Sequence, residues 1–268
     1  MSMARAPNGP PAIAFHDASY HQPGGAVLVE SLSLEIPAGI TLVLLGRSGS
    51  GKTTTLKLMN RLLDPTAGEL FIEGRPAREW DVIRLRRRMG YAIQDVGLFP
   101  HYTVERNIGL LPAVEGWSAA RIRERVRELL ALVGLDAGIV GRYPRQLSGG
   151  QRQRVGVARA LALDPPVLLM DEPFGALDPL TRAELQGEFA RLQRRLGKTV
   201  VLVTHDLREA LLLGTEIALL EGGRLVGMYT PDEFLRTPDP LAVAYRQAFS
   251  AQNGGGSPPR PQATGGAV

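Results

Sequence analysis

The sequence predicts an α/β protein built on a mostly parallel core sheet with helices on both faces, and three observations predict it. Four short runs, residues 41–45, 167–170, 199–203 and 217–220, are apolar apart from a leading Thr41 and Thr199 rather than alternating, as strands buried on both faces are. Other stretches repeat apolar residues three and four apart, as amphipathic helices do: Ile122, Val126, Leu129, Leu130 and Val133 in one, Leu185, Phe189, Leu192 and Leu196 in another. The chain has 268 residues, 44% of them hydrophobic, which is enough apolar material for one sizeable core.

Along the chain, residues 1–11 are rich in Ala, Pro and Gly and are expected to be disordered. The folded body is expected over residues 12–251. Residues 69–72 run into Glu73-Gly74-Arg75, which reads as a hairpin and hence an antiparallel β subdomain. The cluster Arg84, Arg86, Arg87 and Arg88 reads as a solvated helix face. Residues 121–133 open a separate helical stretch, which predicts an inserted helical subdomain over about residues 95–160. Residues 217–220 precede Glu221-Gly222-Gly223, a second hairpin signal. Residues 252–268 form a Gly/Pro tail with nothing to pack, and no internal repeat is visible.

Composition excludes several chemistries. The chain has no cysteine, so disulfides, thiolate metal sites and cysteine nucleophiles are out. No stretch approaches the roughly 18–20 apolar residues that span a bilayer, and the N-terminus lacks the apolar core of a secretory signal, so the chain is expected on the cytoplasmic side. A net charge of +4 is modest, and with the arginines read as helix faces no nucleic acid is expected.

After the run 41–45 comes Gly46-Arg47-Ser48-Gly49-Ser50-Gly51-Lys52-Thr53-Thr54, which fits the P-loop pattern between a buried strand and a helix. Glycines let the backbone curl so that its N–H groups face one anion, and the following helix adds its positive end. Lys52 suits the β- and γ-phosphates and the Thr53 hydroxyl suits Mg²⁺, so the expected occupant is ATP with its metal.

The run 167–170 leads into Asp171-Glu172-Pro173. Two acids at a buried strand end need partners. Asp171 is the expected metal ligand, opposite Thr53, and Glu172 the expected general base for an attacking water. The run 199–203 ends in Thr204-His205-Asp206, so a parallel sheet brings His205 toward the same crevice. Taken alone, a strand-end histidine is more often structural. Gln94 follows the strand-like Tyr91-Ala92-Ile93 and has an amide oxygen fit for Mg²⁺ or water, although spacing alone does not single it out.

Leu147-Ser148-Gly149-Gly150-Gln151 precedes a helix through Val155, Ala158 and Leu161. A serine and two glycines again expose N–H groups at a helix start, this time without a lysine, although from these residues alone a simple N-cap is the favoured reading. The pentapeptide LSGGQ matches the signature of the ABC ATPases letter for letter, and the chain resembles that family from about Phe15 to about Thr237. The resemblance implies the ABC ATPase form of the P-loop fold. It also implies a head-to-tail dimer in which Ser148, Gly149, Gly150 and Gln151 close on ATP held by the partner. It makes Gln94 the Q-loop glutamine, Gly175-Ala176-Leu177-Asp178 the D-loop and His205 the switch histidine. The adenine-stacking aromatic of the family falls near Gln22, where this chain departs from the pattern, and Tyr20 is the candidate.

At a finer level, residues 60–68, Gly97-Leu98-Phe99-Pro100-His101 and residues 170–179 look most like the glycine betaine, carnitine and choline importers. That resemblance implies a separate membrane permease, an extracytoplasmic solute-binding protein, and a place at the cytoplasmic face of the membrane. An apolar surface at Leu98, Phe99, Pro100 and Tyr102 is expected to meet the permease. Importers of other small solutes, such as amino acids or methionine, remain an alternative, as does a soluble ABC ATPase outside transport.

Overall fold

The computed structural model describes residues 9–93, 96–175 and 177–253. The order of elements begins β1 (Ile13–His21), β2 (Val27–Ile36), β3 (Thr41–Leu45), α1 (Lys52–Met59), β4 (Ala67–Ile72), β5 (Arg75–Pro76), α2 (Val82–Arg87) and β6 (Met89–Ala92). Three helices follow, α3 (Val104–Val114), α4 (Ala119–Leu132) and α5 (Gly149–Ala160). The chain then forms β7 (Val167–Asp171), α6 (Pro179–Leu196), β8 (Thr199–Thr204), α7 (Leu207–Leu213), β9 (Glu216–Glu221), β10 (Arg224–Tyr229), α8 (Pro231–Arg236) and α9 (Pro240–Asn253).

Six strands form one sheet in the order β10-β9-β3-β8-β7-β6, parallel from β9 to β6. The run at 217–220 satisfies both of its sequence signals, because β9 lies parallel to β3 on one side and antiparallel to β10 on the other. The period of two along each strand divides the interior into two cores. Val43, Leu45, Leu168, Met170, Leu202 and Leu219 face one, with α3 to α7. Leu42, Leu44, Leu169, Val201, Val203 and Leu220 face the other, which the second sheet covers.

That second sheet is antiparallel, in the order β2-β1-β4-β5. The hairpin signal at residues 69–75 locates β4 and β5, but β1 and β2 are strands that the apolar runs do not reveal. In β1 the pairing register shifts three times against β2, and Asp17 adopts φ +51°, so the alternation is broken by a bulge. In β2, Leu32, Leu34 and Ile36 face inward between Ser33 and Glu35, a plain half-buried pattern rather than a wholly apolar one.

Near the C-terminus, α9 packs Ala242 fully into the core, and Arg246 donates to the Phe234 carbonyl of α8 at 2.6 Å and to the carbonyl of its C-cap Thr237 at 2.9 Å. No helix among the described residues is long and apolar enough to cross a membrane.

Candidate nucleotide site

The phosphate cradle stands at the carboxyl end of β3, where an open parallel sheet leaves its crevice. A Cβ at Gly46 would lie 2.3 Å from Ser50 Oγ and 2.5 Å from the Leu220 carbonyl. Gly51 has φ +93°, and a Cβ there would meet the Leu28 carbonyl at 2.4 Å. Both positions therefore require glycine. Gly51 is also the N-cap of α1 and supplies no side-chain cap, so the first-turn N–H groups keep their directions for an anion. Lys52 Nζ donates to the carbonyls of Gly46 at 2.7 Å and Arg47 at 2.8 Å. Burial pulls its pKa down, while Glu172 and Asp171 push it up.

The strand ends converge as the parallel sheet requires. The Thr53 hydroxyl donates to Asp171 Oδ1 at 3.0 Å, joining two residues 118 positions apart. Asp171 is 6% exposed and has no ion pair among the described residues. Burial drives its carboxyl pKa upward against the lowering effect of the Thr53 hydrogen bond. Next to it, Glu172 holds φ +43°, a left-handed conformation that costs a non-glycine residue roughly 1–3 kcal/mol. Its N–H is tied to the Val203 carbonyl of β8 at 3.0 Å, and its carboxylate lies 3.3 Å from His205 Nδ1. A strained carboxylate thus stands beside an exposed imidazole where two parallel strands end.

Sequence reasoning missed the groups that hold this corner. Glu209 of α7 is 4% exposed; its Oε2 accepts from the Thr204 hydroxyl at 2.5 Å and its Oε1 from the Gln186 amide at 2.9 Å. The Thr204 hydroxyl also accepts the Asp206 N–H at 3.0 Å, so the turn carrying His205 is fixed from beneath. Burial raises the pKa of Glu209 more than these bonds lower it. Arg182 of α6 donates to the carbonyls of Phe174, Gly175 and Leu177, bracing the segment after Glu172. Neither carries a sequence signal: Arg182 precedes the amphipathic run that begins at Leu185, and the apolar spacing marks no helix around Glu209.

Gln94 lies outside the described residues, as does Ala176 of the expected D-loop. Beside Gln94, Arg159 of α5 holds the Val96 and Gly97 carbonyls at 2.6 Å each, and the fully buried Asn107 binds the backbone of Phe99, Tyr102 and Thr103. The ring of Phe99 is exposed above that anchored loop, with Tyr102 5.3 Å away. Tyr20 packs half-buried against the core beneath the antiparallel sheet. Asp178 caps α6 by accepting the Thr181 N–H at 3.0 Å, and hydrogen bonds from Thr181 hold its carboxyl below the usual range.

The second helix end differs in kind. Ser148 caps α5 through the Gln151 N–H at 3.2 Å, and the Gln151 side chain accepts the Ser148 N–H at 3.0 Å, which makes a complete capping box. Gly150 abuts α6, where a Cβ would meet Thr181 Cγ2 at 2.8 Å. No hydrogen bond or ion pair joins residues 148–151 to the cradle of residues 46–54 among the described residues, so the chain does not close its own site with this turn.

A family profile described as ABC transporter matches residues 29–175. The glycine betaine/carnitine/choline transport ATP-binding protein OpuCA of Bacillus subtilis is 52% identical over 215 residues, covering 80% of this chain and 57% of that protein. The glycine betaine uptake system ATP-binding protein YehX of Escherichia coli is 54% identical, covering 80% of this chain and 70% of that protein. The chain thus spans a little over half the length of OpuCA. Among solved structures, the ATP-binding cassette MJ0796, a dimer in a post-hydrolysis state with ADP and Pi, aligns with TM-score 0.73 and 32% identity, over 82% of this chain and 98% of that one.

Proposed function

The chain belongs to the ABC transporter family, and on that premise we propose that it binds and hydrolyses ATP as the motor of an importer for a quaternary amine such as glycine betaine, carnitine or choline. The observation that carries this reading is the meeting of the Thr53 hydroxyl and the buried Asp171 carboxylate beside a loop that requires glycine at positions 46 and 51.

In this reading the N–H groups of residues 46–54, from Gly46 through Arg47, Ser48, Gly49, Ser50 and Gly51 to Thr54, surround the phosphates. Lys52 leaves its two loop carbonyls to pair with them, and Tyr20 is the candidate stack for adenine. A divalent cation fits the adjoining corner, where a hydroxyl and a carboxylate give hard oxygen donors and the buried acid makes no direct ion pair among the described residues. Thr53, Asp171 and Gln94 would hold Mg²⁺, which when bound neutralises charge on the phosphate oxygens. Glu172 takes a proton from the attacking water, and His205 orients that carboxylate and faces the γ-phosphate.

Ser148, Gly149, Gly150 and Gln151 complete the site of a second copy, with Asp178 at the contact between copies. ATP then bridges two positive helix ends and its hydrolysis releases them. The anchored loop with Phe99 and Tyr102 faces a permease at the cytoplasmic side of the membrane. A solute-binding protein outside the cell would select the cargo, so this chain contributes no cargo pocket.

The test is uptake of radiolabelled glycine betaine and choline into vesicles holding this chain with its permease and binding protein. ATP-dependent uptake that vanishes with Glu172→Gln is the expected result. Hydrolysis without uptake of either solute would discard the cargo and point to another small solute.

A further inference from the structure

A cavity of about 270 Å³ lies where the end of α4, the signature helix α5 and α6 meet. Val133, Val157, Leu185, Phe189 and Leu192 line it, and all five belong to the larger core. Two features separate it from a packing gap.

Gln153, in the second turn of α5, is only 5% exposed and lines the cavity, yet its amide has no hydrogen-bond partner among the described residues. Neither polar atom of that amide is shut off from solvent, so it stands open to the cavity, where a ligand's polar group can replace water on it. The rim is also positive. Arg154 is neutralised by Glu188 at 2.8 Å, and it closes one side by donating to the Val133 and Gly134 carbonyls. Arg191 and Arg195 are exposed on the same rim and have no ion pair among the described residues.

We propose that this cavity binds a small organic anion with a flat apolar body, a carboxylate and one hydrogen-bonding group. The body replaces water against Phe189, Leu185 and Val157, the carboxylate pairs with Arg191 and Arg195, and the remaining polar group satisfies the Gln153 amide. One wall is Phe174, two residues after Glu172, so the ligand touches both the signature helix and the segment that follows the catalytic carboxylate. An influence on ATP turnover rests on the proposed ATPase reading; the binding itself does not.

Indole-3-acetate has all three features, and its neutral analogue indole-3-ethanol lacks only the charge. Calorimetric titration of the full chain is expected to give one saturable site for the acid, unchanged by saturating ATP, and weaker binding of the alcohol. Gln153→Leu is expected to weaken the acid about tenfold. The exposed pair Arg191→Glu with Arg195→Glu is expected to remove the preference for acid over alcohol. ATP affinity, measured on the same samples, should stay unchanged and so reports an intact fold. Absence of saturable binding at millimolar acid, displacement of the acid by ATP, or binding that neither variant alters would overturn the proposal.

Discussion

Two helices of this chain present their N-termini through glycine-rich turns, and they are built on opposite plans. At α1 the N-cap is Gly51 with φ +93° and no side-chain cap, the turn is held by clashes that only glycine avoids, and a lysine stands ready in the first turn. At α5 the N-cap is Ser148, the capping box satisfies two donors from within the chain, and no lysine follows. The first end is left open for an anion and carries its own cation. The second is stable by itself and has a single polarised helix end to offer. The contrast teaches that a complete phosphate site needs unspent N–H groups and a positive charge, whereas a helix start capped from within its own chain is folded without any ligand.

If that contrast holds, damage at the first end and its neighbouring carboxylate should be severe and separable. Glu172→Gln is expected to lower kcat by about 10²–10⁴-fold with ATP affinity nearly unchanged, since only the proton acceptor is lost. Steady-state hydrolysis beside a nucleotide titration checks it, and near-normal turnover would remove Glu172 from its role. Lys52→Ala is expected to weaken ATP binding by about 10–100-fold, the worth of a charge-assisted contact. An unchanged dissociation constant would break the distinction between the two ends.

A smaller effect sharpens the account of the corner where Thr53 meets Asp171. Asp171 is an acid whose folded pKa is raised, mainly by burial, so the native chain holds its proton more tightly than the unfolded chain. Stability from this group is present at low pH and is lost as pH rises through the folded pKa. At neutral pH the ionised carboxylate is therefore a burden on the nucleotide-free chain. Asp171→Asn is expected to raise its melting temperature at pH 7, with the advantage shrinking as pH falls toward the carboxylate range. A lower melting temperature at pH 7 would show that the carboxylate stabilises the fold.

Much of the parallel core was legible because its signals are local. Residues 41–45 are β3 to the residue, and β7 and β8 each extend one residue past their apolar runs, because the last position carries the polar group that serves the crevice, Asp171 in one and Thr204 in the other. The antiparallel strands β1 and β2 were not legible in the same way, since bulges and one wet face dilute an apolar run. The cradle and the acids could be read from spacing. The supports could not: Glu209 reaches Thr204 only after α7 folds back on β8, and the unusual backbone at Glu172 depends on its bond to Val203. Such groups act through three-dimensional neighbours that sequence distance hides.

The central claim is that each chain owns the cradle for one ATP and lends its signature to another, and the mass of the Glu172→Gln chain in solution with ATP and Mg²⁺ tests it most directly. The account predicts a dimer that Ser148→Arg, added to Glu172→Gln, converts to monomer while ATP affinity stays the same. A dimer that survives Ser148→Arg, or an ATP affinity that falls with it, would contradict the account.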